Sequence, residues 1–286
     1  MPGTVCHRHA TLPSKIADGG NSLDAGTRRC ESRAVSTYES TRRAWDEASA
    51  KHVREYDEHL AQARAARLLP IEEELLEPLI GGAEVVHPQS GHGIDDHALI
   101  RLGARSALGL DYSPTAVGAA QRRADDLAVP CRYMVAELPG TDVPASSADL
   151  VYTGKGALIW MADLEAWAAE MHRLLRPGGH LFVYESHPLV PLWSWEADEA
   201  RVRPDRSYFA AHHVNDTFPA RGATEHQRTL AQLVMTVLTA GFELLHLAEH
   251  PDPFWMPDEE APAAAWDGRL PNALSLLARR PGAGTV

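Results

Sequence analysis

Cysteine is scarce in this chain of 286 residues: three are present, Cys6, Cys30 and Cys131, and no two form a C-x-x-C pair. An odd, widely spaced set excludes a disulfide-stapled scaffold and points to a reducing compartment. Long apolar runs are missing as well. The richest stretch, Leu230 to Leu247, is broken by Gln232, Gly241 and Glu243, short of the roughly 18 uninterrupted apolar residues that mark a membrane helix. The N-terminus lacks the apolar stretch of a secretory signal. Positive charge is also in short supply: 27 Lys and Arg stand against 39 Asp and Glu, for a formal net charge of -12. Such a chain suits neither a nucleic-acid backbone nor an anionic membrane surface, both of which reward clustered cations. These absences predict a cytoplasmic protein whose partner is a small molecule, not a nucleic acid or a membrane. Homodimerisation is left open.

What is present is a chain long enough to bury a sizeable core, with 44% hydrophobic residues. Residues 1–35 are polar, rich in Gly, Ser, Thr and Arg, and show no hydrophobic period, so a disordered tail is expected there. The overall wealth of Ala, Arg, Pro and Gly has a bacterial character. From Ser36 to about Ala66 the pattern is helical, with Tyr38, Trp45, Val53, Tyr56 and Leu60 recurring at spacings near three and four. Pro70 interrupts, and a second helix follows from Ile71, with Glu72, Glu73 and Glu74 in its first turn, and stops at Gly81-Gly82. Residues 36–82 are therefore expected to form an N-terminal helical lid.

A strand–helix alternation follows. Strands are predicted over 84–87, 106–110, 132–135, 149–153 and 180–185, with helices over 95–102, 113–127 and 164–175. Ser113-Pro114 is a helix start, with Ser as cap and Pro at the first helical position. Residues 186–224 break the rhythm. They hold Trp193, Trp195, Tyr208, Phe209, His212 and His213 with little periodicity, as expected of a substrate-facing insertion. A helix over 225–240 and strands over 242–248 and 274–279 complete the chain. The prediction is a doubly wound α/β domain over 83–286, built on a mainly parallel, seven-stranded sheet.

The constellation that carries chemistry is strand, Gly-rich turn, helix, strand, acidic residue. The turn is Ser90-Gly91-His92-Gly93, which opens onto a helix N-terminus. Asp111 ends the next strand, where a carboxylate can accept both hydroxyls of a ribose.

With E-V-V-H-P-Q-S-G-H-G (84–93), L-G-L-D-Y-S-P (108–114), A-E-L (136–138), A-D-L-V-Y-T-G-K-G-A-L (148–158) and L-L-R-P-G-G-H-L (174–181), the stretch from Val85 to Glu185 resembles the class I S-adenosylmethionine-dependent methyltransferases. The resemblance implies a Rossmann-like fold with S-adenosylmethionine as cofactor. Gly91 and Gly93 would line its methionine part, Asp111 the ribose, and Tyr112, Glu137 and Leu138 the adenine. Thr153, Gly154 and Lys155 would pass beneath the sulfonium. The family's first strand commonly ends in an acidic residue. Here it ends in His87-Pro88-Gln89, as in a subgroup with His at the strand end and Gln two residues later. That change leaves the ammonium contact to Asp95 or the N-terminal helices; His87 and Gln89 and, from those helices, Tyr56 are placed at the cofactor.

Methyl transfer needs a general base only when the attacking atom carries a proton. His187 and Glu185, at the end of the fifth strand, and His213, in the insertion, are the candidates. His87, His92 and His97 are spaced by five residues, which does not stack them on one helix face, so no metal is assigned. Two other readings keep the same cofactor cleft: a cyclase or lyase that consumes S-adenosylmethionine and releases methylthioadenosine, and a non-catalytic, nucleoside-binding partner subunit.

Overall fold

The computed structural model describes residues 39–193, 202–216, 218–219, 222–254 and 268–282. The tail predicted over 1–35 and Trp195 of the insertion lie outside the described residues. Thr37–Val286 forms one unit.

The helix predicted from Ser36 to Ala66 is divided into α1 (39–49), α2 (Lys51–Arg54) and α3 (Tyr56–Ala65). Ser49 is where the division starts. Its hydroxyl donates to the Trp45 carbonyl at 2.8 Å, competing with the backbone for that acceptor, and side chains that do so bend helices. Glu55 then leaves helical geometry at φ −100°, ψ 31°. Next, α4 (Pro70–Ile80) opens with Pro at its first position. The Glu72 carboxylate there accepts the Leu69 N–H at 2.8 Å.

The alternating section gives β1 (Glu84–Pro88), α5 (Ile94–Leu102), β2 (Ser106–Asp111), α6 (Pro114–Asp126), β3 (Cys131–Val135), β4 (Ala148–Gly154), α7 (Leu164–Leu174) and β5 (Leu175–Ser186). A two-residue ribbon, β6 (His213–Val214) with β7 (Thr224–Glu225), precedes α8 (Leu230–Thr239), β8 (Glu243–His250) and β9 (Ala273–Arg279). The main sheet has 7 strands in the order β3-β2-β1-β4-β5-β9-β8. β1 to β5 pair in parallel, and β9 runs antiparallel to both β5 and β8. The mainly parallel, doubly wound sheet read from the sequence is the sheet found.

Two boundaries differ from expectation. Pro177-Gly178-Gly179 lies inside β5, where pairing with β4 is interrupted between Ala148 and Leu150. Arg280 holds that irregularity, accepting the Gly178 N–H and donating its own N–H to Gly179 O, both at 2.8 Å. The last helix begins at Leu230 instead of Glu225. Thr224 and Glu225 are spent on the ribbon, and Thr229 with Gln232 forms a reciprocal cap.

Successive strand residues face opposite layers. Val86, Val151 and Val183 pack with Trp167, Met171 and Val237 beneath α7 and α8. Val85, Leu150 and Phe182 pack with Leu76, Ile80 and Leu99 beneath α4 and α5. Each such buried side chain contributes about 1.5–3 kcal/mol of transfer free energy, and burial on both faces explains the near-continuous apolar runs of these strands. Among the described residues, no helix is long and apolar enough to cross a membrane.

Candidate active site

Open parallel sheets gather ligands at the carboxyl ends of their strands. At the end of β1 the chain passes through Gln89 (φ 57°), Gly91 (φ 53°) and Gly93 (φ 72°) into α5. Gly93 is obligatory: a Cβ there would lie 2.4 Å from the Tyr133 hydroxyl, which donates to Gly93 O at 3.1 Å. Gly91 differs, since a Cβ on it would meet nothing within 4 Å, so its face of the turn is open.

Asp111, at the end of β2, accepts the Gly91 N–H on Oδ2 at 3.1 Å and the Ser113 N–H on Oδ1 at 2.8 Å. Burial pushes its carboxyl up and the two N–H groups pull it back. One carboxylate thus fixes the Gly turn against the start of α6, and each oxygen keeps lone pairs for further donors.

Gln89 and Thr153 lie at the ends of adjacent strands β1 and β4. Gln89 Nε2 donates to Ala157 O at 2.8 Å. Its Oε1, together with Thr153 Oγ1, is buried with no hydrogen-bond partner among the described residues. Buried acceptors left unmade cost about 1–3 kcal/mol each, so the pair is suited to an incoming donor.

His87 and Lys155, both predicted at the cofactor, are engaged with carboxylates. His87 Nδ1 lies 2.7 Å from Asp96 Oδ1. Lys155 Nζ lies 2.9 Å from Asp95 Oδ1 and 3.2 Å from Glu72 Oε2, and the Tyr152 hydroxyl donates to Glu72 Oε1 at 2.7 Å. Asp95 is therefore paired already. Burial would raise its carboxyl, but Lys155 and His87 hold it below the ordinary carboxylate value.

Tyr56 requires a correction. Its hydroxyl donates to Asp126 Oδ2 at 2.6 Å, and the Arg122 guanidinium lies over its ring at 4.1 Å. Burial, with Asp126 second, pushes the phenol up to about 12. Asp126 ends α6, the end of that helix away from Ser113 and Asp111, so Tyr56 packs α3 onto α6. The break after Ser49 separates the faces of Trp45 and Tyr56, which a single helix would have aligned.

α1 does reach the strand ends. Arg42 pairs with Glu137 at 2.9 Å, and Asp46 accepts from Ser113 Oγ at 2.7 Å. Trp45 meets Trp160 and Phe218 edge-on, at 5.3 and 5.5 Å between centroids. Thr41 Oγ1 accepts the Thr224 N–H at 3.0 Å, tying the helix to the insertion.

Of the candidate bases, Glu185 is buried and accepts the N–H groups of Gly156, Ala157, Leu158 and Ser186 at 2.6–2.8 Å. It fastens the loop after β4 and has no free edge with which to take a proton, which corrects its assignment as a base. His187 is engaged at one nitrogen: Nδ1 accepts the Leu189 N–H at 3.2 Å, while Nε2 lies 2.8 Å from Glu249 Oε1 without a hydrogen bond of good geometry. Burial holds its pKa below the ordinary imidazole value. His213 Nε2 contacts Glu225, whose other oxygen accepts from Asn215 at 2.6 Å, so it closes the β6–β7 ribbon. Sequence reasoning missed the partners Glu249, Gln227 and Arg228.

Residues 85–179, from β1 into β5, match the family model of the methyltransferase domain. No curated protein matches the sequence. The chain is similar to the S-adenosylmethionine-dependent methyltransferase of Mesorhizobium loti, at 25% identity over 73% of this chain and 96% of that one, with a TM-score of 0.60. It is also similar to an S-adenosylmethionine-dependent methyltransferase of Methanosarcina mazei (16% identity, 76% and 100% covered, TM-score 0.56). A third similar structure is the [4+2]-cyclase SpnF (18% identity, 74% and 80% covered, TM-score 0.50). Residues 85–179 therefore form a methyltransferase domain, within a fold similar to that of S-adenosylmethionine-dependent methyltransferases.

S-adenosylmethionine is the cofactor that the similar methyltransferases are named for, and the cleft fits it on two counts. The unpartnered Gln89 Oε1 and Thr153 Oγ1 are acceptors suited to an ammonium, and Asp111 offers a fixed carboxylate to a diol. A cavity of about 50 Å³ adjoins this cleft through the loop that Glu185 fastens, lined by Leu158, Ile159, His187, His226, Arg228 and Leu233. A larger depression, about 470 Å³ between Ser106, Asp125 and Arg132, lies at the opposite end of β2 and β3. It has no part in the methyltransferase's cleft.

Proposed function

We propose that the chain transfers the methyl group of S-adenosylmethionine to a small-molecule acceptor held beside the ends of β4 and β5. The observation that carries this reading is the grouping, at the ends of β1, β2 and β4, of two buried acceptors without partners and one carboxylate braced by backbone N–H groups. In this reading Asp111 takes the ribose hydroxyls, and Tyr112, Glu137 and Leu138 flank the adenine. Gln89 and Thr153 take the ammonium, beside Gly91, Gly93 and Gly154.

The bound cofactor supplies a methyl group on a positively charged sulfur, so the leaving group is activated before the protein acts. The protein's work is orientation and exclusion of water. Glu185 fixes the loop between cofactor and acceptor. Lys155, locked to Asp95 and Glu72, holds β4 and α4 against α5. α1 serves as the lid, with Trp45 wedged between Trp160 and Phe218.

The test is mass spectrometry of the purified chain with S-adenosylmethionine alone and then with extract fractions. The expected result is no methylthioadenosine above the no-enzyme control, and adenosylhomocysteine with one fraction. Methylthioadenosine accumulating without an acceptor would overturn methyl transfer in favour of a lyase. Tight cofactor binding without turnover in any fraction would leave a binding subunit.

A further inference from the structure

Resting on the small-molecule reading above, we propose that the acceptor pocket is an anion site: it takes a small molecule with an apolar body and one carboxylate, and Arg228 holds that carboxylate. The walls give the apolar part, since Leu158, Ile159, Leu164, Pro188, Pro191 and Leu233 line the cavity. The charge comes from the chain segment 226–228, just before α8.

Arg228 is half-buried; burial lowers its pKa while the charge of nearby Asp163 acts in the opposite direction, and among the described residues no carboxylate touches its guanidinium. Nη1 donates to Gln227 O at 2.9 Å and Ala211 O at 3.3 Å, and Nη2 donates to Ala162 O at 2.8 Å. A guanidinium carries five N–H groups. Three are used on carbonyls, which locks the plane of the group, and the protons left over are on Nε and Nη2. Those two nitrogens share one edge of the guanidinium, the edge that meets a carboxylate in the paired, two-bond geometry.

Glu185 lines the same pocket, but its two oxygens are filled by four backbone N–H groups. His226 lines the same pocket, and neither ring nitrogen makes a hydrogen bond among the described residues. Burial, Arg228, His212 and His213 hold it at about 4, so it is neutral at pH 7. The nearby carboxylates are committed elsewhere. Glu185 is filled by four N–H groups, Glu225 by His213 and Asn215, Glu249 faces His187, and Asp163 caps α7 through the Ala166 N–H. A half-buried cation whose nearby carboxylate, Asp163, does not touch it stays poorly compensated, and an anionic acceptor in the pocket would pair with it directly.

The experiment is calorimetric titration of the chain, saturated with adenosylhomocysteine, with benzoate and hexanoate and with the uncharged isosteres benzamide and hexanamide. The expected result is acids binding at least tenfold more tightly than their amides. In R228Q the preference disappears, and in R228K part of it survives because a point charge remains. Arg228 also ties three carbonyls, so adenosylhomocysteine affinity and the thermal midpoint are read for each variant, and the comparison in the unaltered chain decides even if a variant fails to fold. Equal binding of acids and amides, no acid binding, or a preference unchanged in a folded R228Q would each overturn the anion site. These failures leave adenosylhomocysteine binding intact. Loss of that binding in the unaltered chain would instead strike the methyltransferase reading, while the acid–amide comparison would still decide the pocket.

Discussion

The two halves of the sheet treat buried polar groups in opposite ways. At the ends of β1, β2 and β4, acceptors are left open: Gln89 Oε1 and Thr153 Oγ1 have no partner, and Asp111 has used one N–H per oxygen. At the end of β5 the acceptors are spent inside the protein. Glu185 takes four backbone N–H groups, and His187 and His213 each face a glutamate. The first half is prepared for a ligand that donates hydrogen bonds. The second is a scaffold of paired carboxylates, beside which lie the unpaired edge of Arg228 and the unpartnered Nε2 of His187. A site can therefore hold titratable residues at the right strand end and still offer no base, because occupancy of the lone pairs decides the role.

The largest effect that would test this contrast is at Glu185. Replacing it with Ala leaves four buried N–H groups without an acceptor. At about 1 kcal/mol for each, Glu185→Ala is expected to lower stability by about 4 kcal/mol in chemical denaturation. A base would behave differently: the variant would keep its stability and lose turnover, and the two halves would then be alike.

Asp111→Asn probes the other half. Asn keeps one acceptor oxygen and turns an NH2 toward the other backbone N–H, so the amide is expected to cost about 1–3 kcal/mol of stability. Adenosylhomocysteine affinity, measured by calorimetric titration, is expected to fall about 100-fold, the worth of a charged hydrogen-bonding group at about 1.5–3 kcal/mol. A large loss of stability with affinity unchanged would make Asp111 a brace like Glu185 and erase the contrast.

The same division explains what the sequence made readable. Gly91, Gly93 and Asp111 belong to one strand–turn–helix–strand unit, in which each residue's role follows from its neighbours along the chain. The strands of that half were placed to within a residue or two for the same reason. Arg228 and Glu249 reach the pocket from the segment before α8 and from β8, and no local pattern joins them to His187. Thr41 meets Thr224 across most of the chain. Tyr56 was misplaced by a local cause hidden in the pattern: the period of α1 to α3 looks continuous, while the Ser49 hydroxyl interrupts it.

The smallest effect concerns three histidines that join the N-terminal helices to the Gly turn. His52 of α2, His59 of α3 and His92 form a triangle with ring centroids 5.2–5.6 Å apart. Burial first, then His92, His59, Lys51 and Arg123, hold His52 at about 3. Burial, with His59, Arg123 and Lys51 against Asp95, holds His92 at about 4. Burial and then Arg123 lower His59, against Glu55 and Glu58. All three are depressed from 6.5, so the folded chain binds fewer protons than the unfolded one. Their neutral packing is fully favourable above about pH 6.5 and is lost as pH falls from there toward 4 and then 3. The thermal midpoint is therefore expected to drop between pH 7 and pH 5, and His52→Gln with His59→Gln to flatten that slope. Because the triangle touches the Gly turn and not the Arg228 pocket, adenosylhomocysteine affinity should weaken over this range before the acid–amide preference does. A midpoint flat from pH 7 to pH 5 would mean that the three rings are not packed neutral against one another. The cofactor half would then owe its closure to the α1 contacts alone.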